Sequence, residues 1–127
     1  MPIPSHILAA GNSPQATRAI TGGSNIALVA VGTNQATALQ LSSTRSVITT
    51  SSSGTGVKLP TCEENAEIWI YNLSGQTIQI YTHETTGVSM NAAVAGATGV
   101  AIGNTKTAIC YAPSYNTWVV TCSLTST

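Results

Sequence analysis

Residues 67–82, EIWIYNLSGQTIQIYT, decide the fold class of this chain. Over 67–73 isoleucines alternate with aromatic residues, which is the period-2 pattern of a β-strand with both faces at least partly covered. Residues 77–82 alternate in the same way, and Ser74-Gly75 between the two runs is a favoured turn sequence. The stretch therefore predicts a β-hairpin, with Asn72 as a side chain that supports its turn.

Further strands are predicted on both sides of this stretch. The shorter candidates are residues 37–41, 46–50, 56–59, 87–90 and 100–103. A second hairpin is predicted from 107–111 and 117–123, with Trp118, Val120 and Cys122 on the inward face of its last strand. About eight short strands at this spacing predict an all-β fold, a jelly-roll-like antiparallel β-sandwich.

The first 35 residues differ from the rest in composition, being rich in Ala, Gly, Asn, Ser and Thr with prolines at positions 2, 4 and 14. Such a segment has little with which to build a core, and its proline pair favours extended backbone. We therefore predict an extended N-terminal arm over 1–35, ordered by a partner, and a β-sandwich domain over 36–127. The alternative is a frayed terminus with one edge strand around 25–31.

Charge is scarce, because four Lys and Arg balance four Glu and only 6% of residues are charged. An average soluble domain has about 25% charged residues, and low charge leaves copies of a protein with little mutual repulsion. The four basic residues are also scattered, whereas phosphate binding needs them clustered. This composition favours a protein that functions within an assembly and argues against a nucleic-acid partner.

The chain start lacks the basic and apolar stretches of a signal peptide, and the longest apolar run, 26–31, is too short to span a bilayer. We expect synthesis in a cytoplasm and no membrane partner. The three cysteines, Cys62, Cys110 and Cys122, form an odd set without a CxxC pair, which favours buried reduced thiols over disulfides or a zinc site.

Catalytic chemistry has little support in this sequence, which contains no Asp. Ionisable groups gather in one place: Glu63, Glu64, Glu67, His83 and Glu84, which the predicted first hairpin would bring to one sheet end. That cluster fits a metal site, an intersubunit contact or a solvated sheet end. The contact and the solvated end are favoured, because a metal site needs ligands that converge on one point and no spacing here requires that. We predict no catalytic residue, no cofactor and no metal.

Six aromatic side chains offer a further interpretation, a stacking platform for sugars. Because the chain contains no Phe, Trp69 or Trp118 is needed in the core. Tyr115, in a turn between Ser114 and Asn116, is the best candidate for an exposed contact.

Several stretches together resemble a recurrent module of tailed-bacteriophage virion proteins. They are residues 32–41 (GTNQATALQL), 54–60 (GTGVKLP), 68–72 (IWIYN), 79–81 (QIY), 90–93 (MNAA), the strand at 106–110 and the closing aromatic strand at Trp118. The resemblance covers roughly residues 30–122.

In such proteins the module occurs in capsid decoration (cement) proteins, head fibres and tail-associated proteins. The resemblance implies a homotrimer, or alternatively a homodimer, that binds the major capsid protein on the outside of the shell, with the arm as an anchor. The capsid-contact candidates in the arm are Ile3, Pro4, His6, Ile7, Leu8 and Arg18. The alternative is a head-fibre or tail-fibre tip that binds a host surface glycan.

Overall fold

The computed structural model describes residues 3–11, 13–16, 22–91, 93–94 and 99–123. The described residues include helix α1 (Pro4–Ala9) and a further helical stretch at 14–16. Their strands are β1 (Ser24–Val29), β2 (Leu39–Gln40), β3 (Arg45–Thr50), β4 (Gly56–Lys58), β5 (Glu67–Asn72), β6 (Ile78–Tyr81), β7 (Ser89–Met90), β8 (Ala93–Val94), β9 (Val100–Ile102), β10 (Thr107–Ser114) and β11 (Thr117–Cys122). Most of these strands coincide with predicted ones, although the described residues form eleven strands and the sequence predicted about eight.

The strands form two sheets, which confirms the predicted all-β, sandwich-like architecture. One sheet has seven strands in the order β1-β3-β5-β10-β11-β7-β8, and the other has four in the order β2-β4-β6-β9. From β1 to β6 the chain alternates between the sheets, so β1, β3 and β5 are parallel neighbours in one and β2, β4 and β6 in the other. The first half of the chain thus coils like a short parallel β-helix.

This connectivity corrects the prediction of an antiparallel jelly roll. Of the nine pairings between strands in the described part of the chain, five are parallel. Parallel neighbours need a crossover between them, and from β1 to β6 each crossover is a strand of the opposite sheet. The second predicted hairpin is confirmed, since β10 and β11 are antiparallel across a two-residue turn.

The first predicted hairpin is wrong, because β5 and β6 belong to different sheets. Residues 73–77 form an arch, a connection that carries the chain from one sheet to the other. The fully buried Asn72 holds this arch: its Nδ2 donates to the carbonyl oxygens of Gln76 at 2.7 Å and Ile102 at 3.0 Å. Its Oδ1 accepts from the backbone N–H of Ser74 at 3.0 Å.

The core lies between the two sheets and is built from the residues that alternate inward. Trp118, Ile48, Ile70 and Cys110 come from the seven-stranded sheet, and Val57, Ile78, Ile80 and Ile102 from the four-stranded sheet, all fully buried. Each such aliphatic side chain contributes about 1.5–3 kcal/mol on leaving water. On β11 the predicted inward residues Trp118 and Val120 are buried, whereas Cys122 is exposed at the strand end.

The N-terminal segment departs from the predicted extended form at its tip, where residues 4–9 are helical with Pro4 in the first turn. Proline is compatible with that position because the first helical N–H groups have no intrahelical acceptor. The predicted edge strand is present as β1, parallel to β3, and Ala30 after it packs in the core. No helix in the described ranges is both long and apolar enough to cross a membrane.

Candidate interaction surfaces

The ionisable cluster predicted from the sequence does not converge, because its hairpin does not form. Glu67 lies on β5 opposite Tyr111 of β10, and its carboxylate accepts a hydrogen bond from Trp69 Nε1. His83 follows β6 in the other sheet, where its Nδ1 lies 2.8 Å from Gln40 Oε1. Across the described ranges no three His, Cys, Asp or Glu side chains are placed to hold one metal ion.

Glu84 holds a loop in place rather than facing a ligand. Its carbonyl oxygen accepts hydrogen bonds from Gln35 Nε2 at 2.6 Å and Thr82 Oγ1 at 2.8 Å. Its carboxylate Oε1 accepts from the backbone N–H of Cys62 at 3.1 Å. These contacts tie the segment after β6 to the segments before β2 and β5, which is a structural task.

The three cysteines are free thiols. Burial raises the pKa of Cys110 to about 12, and it also raises the pKa values of Cys62 and Cys122. Nucleophilic thiols need a lowered pKa. The buried Cys62 and Cys110 therefore act as small side chains and not as nucleophiles at neutral pH.

An apolar surface lies on the outward side of the seven-stranded sheet, and we call it the outer sheet face. It consists of three cross-strand pairs on β3, β5, β10 and β11: Val47 with Tyr71, Trp69 with Ile109, and Tyr111 with Val119. Tyr71, Tyr111 and Val119 are 37%, 41% and 41% exposed, and the other three are half-buried. A contiguous apolar surface of this kind is typical of an interaction site.

Trp69 at the centre of this face is fixed from two sides. The Arg45 guanidinium lies over its ring, 4.8 Å from the ring centroid, and Glu67 accepts its indole N–H. Cation–π contact and hydrogen bonding both restrict the ring to one orientation. The centre of the face is therefore a preorganised aromatic surface.

The outward side of the four-stranded sheet has a different character. The outward residues of the four-stranded sheet include Lys58, Gln79 and Ala101. The ring of Tyr81 on the same side is buried between Gly56 and Gly99. A Cβ on Gly56 or Gly99 would lie 2.8 or 3.0 Å from that ring. Exposed apolar side chains are thus concentrated on one sheet and not on both.

Five of the predicted capsid-contact residues lie on α1 or directly before it. The helix buries no residue: Ile3 is 53% and Leu8 43% exposed, Pro4 and His6 are exposed, and Ile7 is half-buried. Arg18 lies outside the described residues. Tyr115 occupies the turn between β10 and β11 and is 75% exposed, as the sequence predicted for its side chain.

A groove of about 350 Å³, which sequence reasoning missed, adjoins the outer sheet face. It is lined by Ser42, Ser43, Thr44, Pro60, Thr61, Glu63, Ala66, Glu67 and Ile68. Hydroxyl groups and two carboxylates suit a neutral ligand that carries many hydroxyls. The run of hydroxyl residues at 42–44 is the local signal, but its meeting with residues 60–68 depends on the parallel packing of β3 beside β5.

Comparison with protein-family models, curated proteins and solved structures finds no match to this chain.

Proposed function

We propose that this chain is a virion structural protein, a capsid decoration protein that binds the outside of the shell and stabilises it. The observation that carries the proposal is that a nearly uncharged chain leaves apolar side chains uncovered on both α1 and the outer sheet face, in addition to others such as Ile26 on β1 and Leu73 in the arch. Two such surfaces suit a protein with two protein neighbours.

In this proposal α1 is the anchor and the major capsid protein is its partner. A six-residue helix is marginal by itself in water, so its apolar residues Ile3, Ile7 and Leu8 gain stability from a surface that covers them. Each contact is modest, but a homotrimer bound across a lattice adds several such contacts through multivalency. The protein is made in the host bacterial cytoplasm and resides on the capsid surface, without nucleic acid, membrane or cofactor.

The proposal includes no enzymatic activity. The ionisable residues in the described ranges serve the fold, as Glu84 does, or lie apart, as Glu67 and His83 do. A structural role needs neither a nucleophile nor a convergent acid–base pair.

Binding to purified empty shells tests the anchor. We expect Leu8→Glu, and deletion of residues 1–20, to abolish co-sedimentation with shells and to leave the circular dichroism of the sandwich unchanged. Ser5→Glu adds the same charge to the same helix at an exposed polar position and should retain binding. Full binding by both Leu8→Glu and the deletion would refute the anchor.

The second candidate function is a fibre tip that binds a host surface glycan. The hydroxyl- and carboxylate-lined groove and the 75% exposure of Tyr115 favour it. Here Tyr115→Ala should weaken adsorption to host cells while virion stability is unchanged. If adsorption is unaffected, Tyr115 is not a glycan contact.

A further inference from the structure

We propose that the outer sheet face is the contact between copies of this chain, so that its occupant is a second copy. This inference rests on the proposed function and adds to it the surface through which the oligomer forms. Its centre is the Trp69–Ile109 pair, flanked diagonally by Tyr71 and Tyr111.

The size of the face suits such a contact. Four adjacent strands at about 4.8 Å spacing, with about six residues each at ~3.4 Å per residue, give a footprint of about 400 Å². The accessible area is larger because side chains stand out of the sheet, and a standard interface buries about 800 Å² per partner. The footprint is about half of that standard area, so the face is in the range of a small interface.

The composition of the face fits an identical partner. Interface cores are enriched in Trp, Tyr and Arg and depleted in Lys and Glu. Here one cation, Arg45, and one anion, Glu67, lie beside the aromatic centre. The face therefore has no net charge, and each of the two charged groups can meet its opposite on a second copy. The whole chain has a formal net charge of zero, so copies do not repel each other at long range.

The β1 edge of the seven-stranded sheet exposes Ile26, but its backbone is less suited to pairing with another copy than the face is to packing. The β1 edge strand has register shifts after Asn25 and around Leu28, and Ala27 between them has a φ of +64°. Such irregularities twist an edge and oppose strand addition by another chain. Face packing, either of two sheets or of three around one axis, places Trp69 and Ile109 where water is excluded.

Native mass and tryptophan accessibility test the inference on the full chain. The wild type should have two or three times the 12.9 kDa of one chain, and Trp69 should resist quenching by acrylamide. Tyr71→Glu combined with Val119→Glu places two charges on the face and should reduce the mass to that of one chain. Ala101→Glu, exposed on the four-stranded sheet, is the matched control and should remain assembled.

The wild type alone provides a second measurement that does not depend on a variant folding. Trp118 is fully buried within one chain, whereas Trp69 is half-buried, so added quenching reports Trp69. Dilution through the dissociation range should increase quenching in step with the loss of mass. A wild type that is monomeric at every concentration, with Trp69 freely quenched, would overturn the inference.

Two further outcomes separate this inference from the proposed function. If the wild type is assembled, the double variant is monomeric and the wild type never sediments with shells, the face contact holds and the decoration function fails. If the folded double variant remains assembled, the contact between copies lies elsewhere and the inference is refuted. If a monomeric wild type sediments with shells that then protect Trp69, the capsid protein occupies the face, and the inference about a second copy is refuted.

Discussion

Asn72→Asp tests the arch between the two sheets most directly. The two side chains have nearly the same shape, but the carboxylate cannot donate the hydrogen bonds that Nδ2 gives to the carbonyls of Gln76 and Ile102. It would instead face both carbonyl oxygens at a fully buried position. The acceptor role towards Ser74 is retained, so the change removes the two donated bonds and adds a buried charge.

The magnitude follows from those two bonds. A buried polar group left without its partner costs about 1–3 kcal/mol, so two carbonyls cost about 2–6 kcal/mol. A middle value of about 4 kcal/mol is a large share of the ~5–15 kcal/mol that stabilises a typical domain. With a urea dependence of about 2 kcal/mol per molar, the unfolding midpoint falls by about 2 M.

Urea unfolding followed by tryptophan fluorescence, at one fixed protein concentration, measures this loss. Asn104→Asp is the matched control, since it adds the same charge beside the same arch. Asn104 is exposed and its Oδ1 only accepts, from the Gly75 N–H at 2.9 Å. The control should unfold within a few tenths of a molar of the wild type.

The pH dependence provides a second check on the same variant. Burial and the facing carbonyls raise the folded-state pKa of the introduced carboxyl above its unfolded value of about 3.9. The penalty is therefore present at pH 7 and decreases as pH falls towards 4, where the protonated carboxyl again donates one hydrogen bond. If Asn72→Asp and Asn104→Asp have equal midpoints at pH 7, Asn72 does not hold the arch.

Three other perturbations test separate parts of the structure. Gly32→Ala should destabilise the fold by several kcal/mol more than Gly54→Ala. Both glycines have positive φ, but a Cβ on Gly32 would lie 2.4 Å from the Thr37 backbone, whereas a Cβ on Gly54 would meet open space. Equal unfolding midpoints for the two variants would contradict this. Cys110 should react with a thiol reagent at pH 8 only after unfolding, whereas Cys122, exposed at its strand end, should react in the native state. Because the Cys110 pKa rises from 9.0 to about 12 on folding, the free energy of unfolding should also fall between pH 9 and pH 12. A free energy of unfolding that is constant over this range would refute the effect. Gln35→Glu should lower the free energy of unfolding by about 2–4 kcal/mol, since the buried Nε2 of Gln35 donates hydrogen bonds to the carbonyls of Thr82 and Glu84. Gln76→Glu at an exposed position is the control. An equal loss in both variants would show that the Gln35 contacts contribute nothing specific.

The outer sheet face was only partly predictable. The alternation over 67–73 placed Trp69 and Tyr71 on the same side of one strand. That Ile109, Tyr111 and Val119 join them depends on the register of β10 against β5 and β11. Register is set by packing across the sheet, because strands of the same pattern can pair in several ways.

The N-terminal segment shows a similar division. Its composition indicated that it could not build a core, and α1 indeed buries no residue. Composition did not predict that residues 4–9 would be helical, because a six-residue helix has too few turns for a periodic signal. The edge strand β1 was predictable as an alternative, since its apolar run is visible in the sequence.

The sequence by itself determined the all-β class, the positions of most strands and, for the last strand, the inward side of Trp118 and Val120, because side-chain alternation is a local property of one strand. Only the tertiary structure decided which strands pair. Two alternating strands joined by Ser74-Gly75 are compatible with either a hairpin or an arch, and either connection buries the same isoleucines. The difference is where Asn72 finds acceptors for its buried amide, and one of them, the carbonyl of Ile102, lies thirty residues away in the chain.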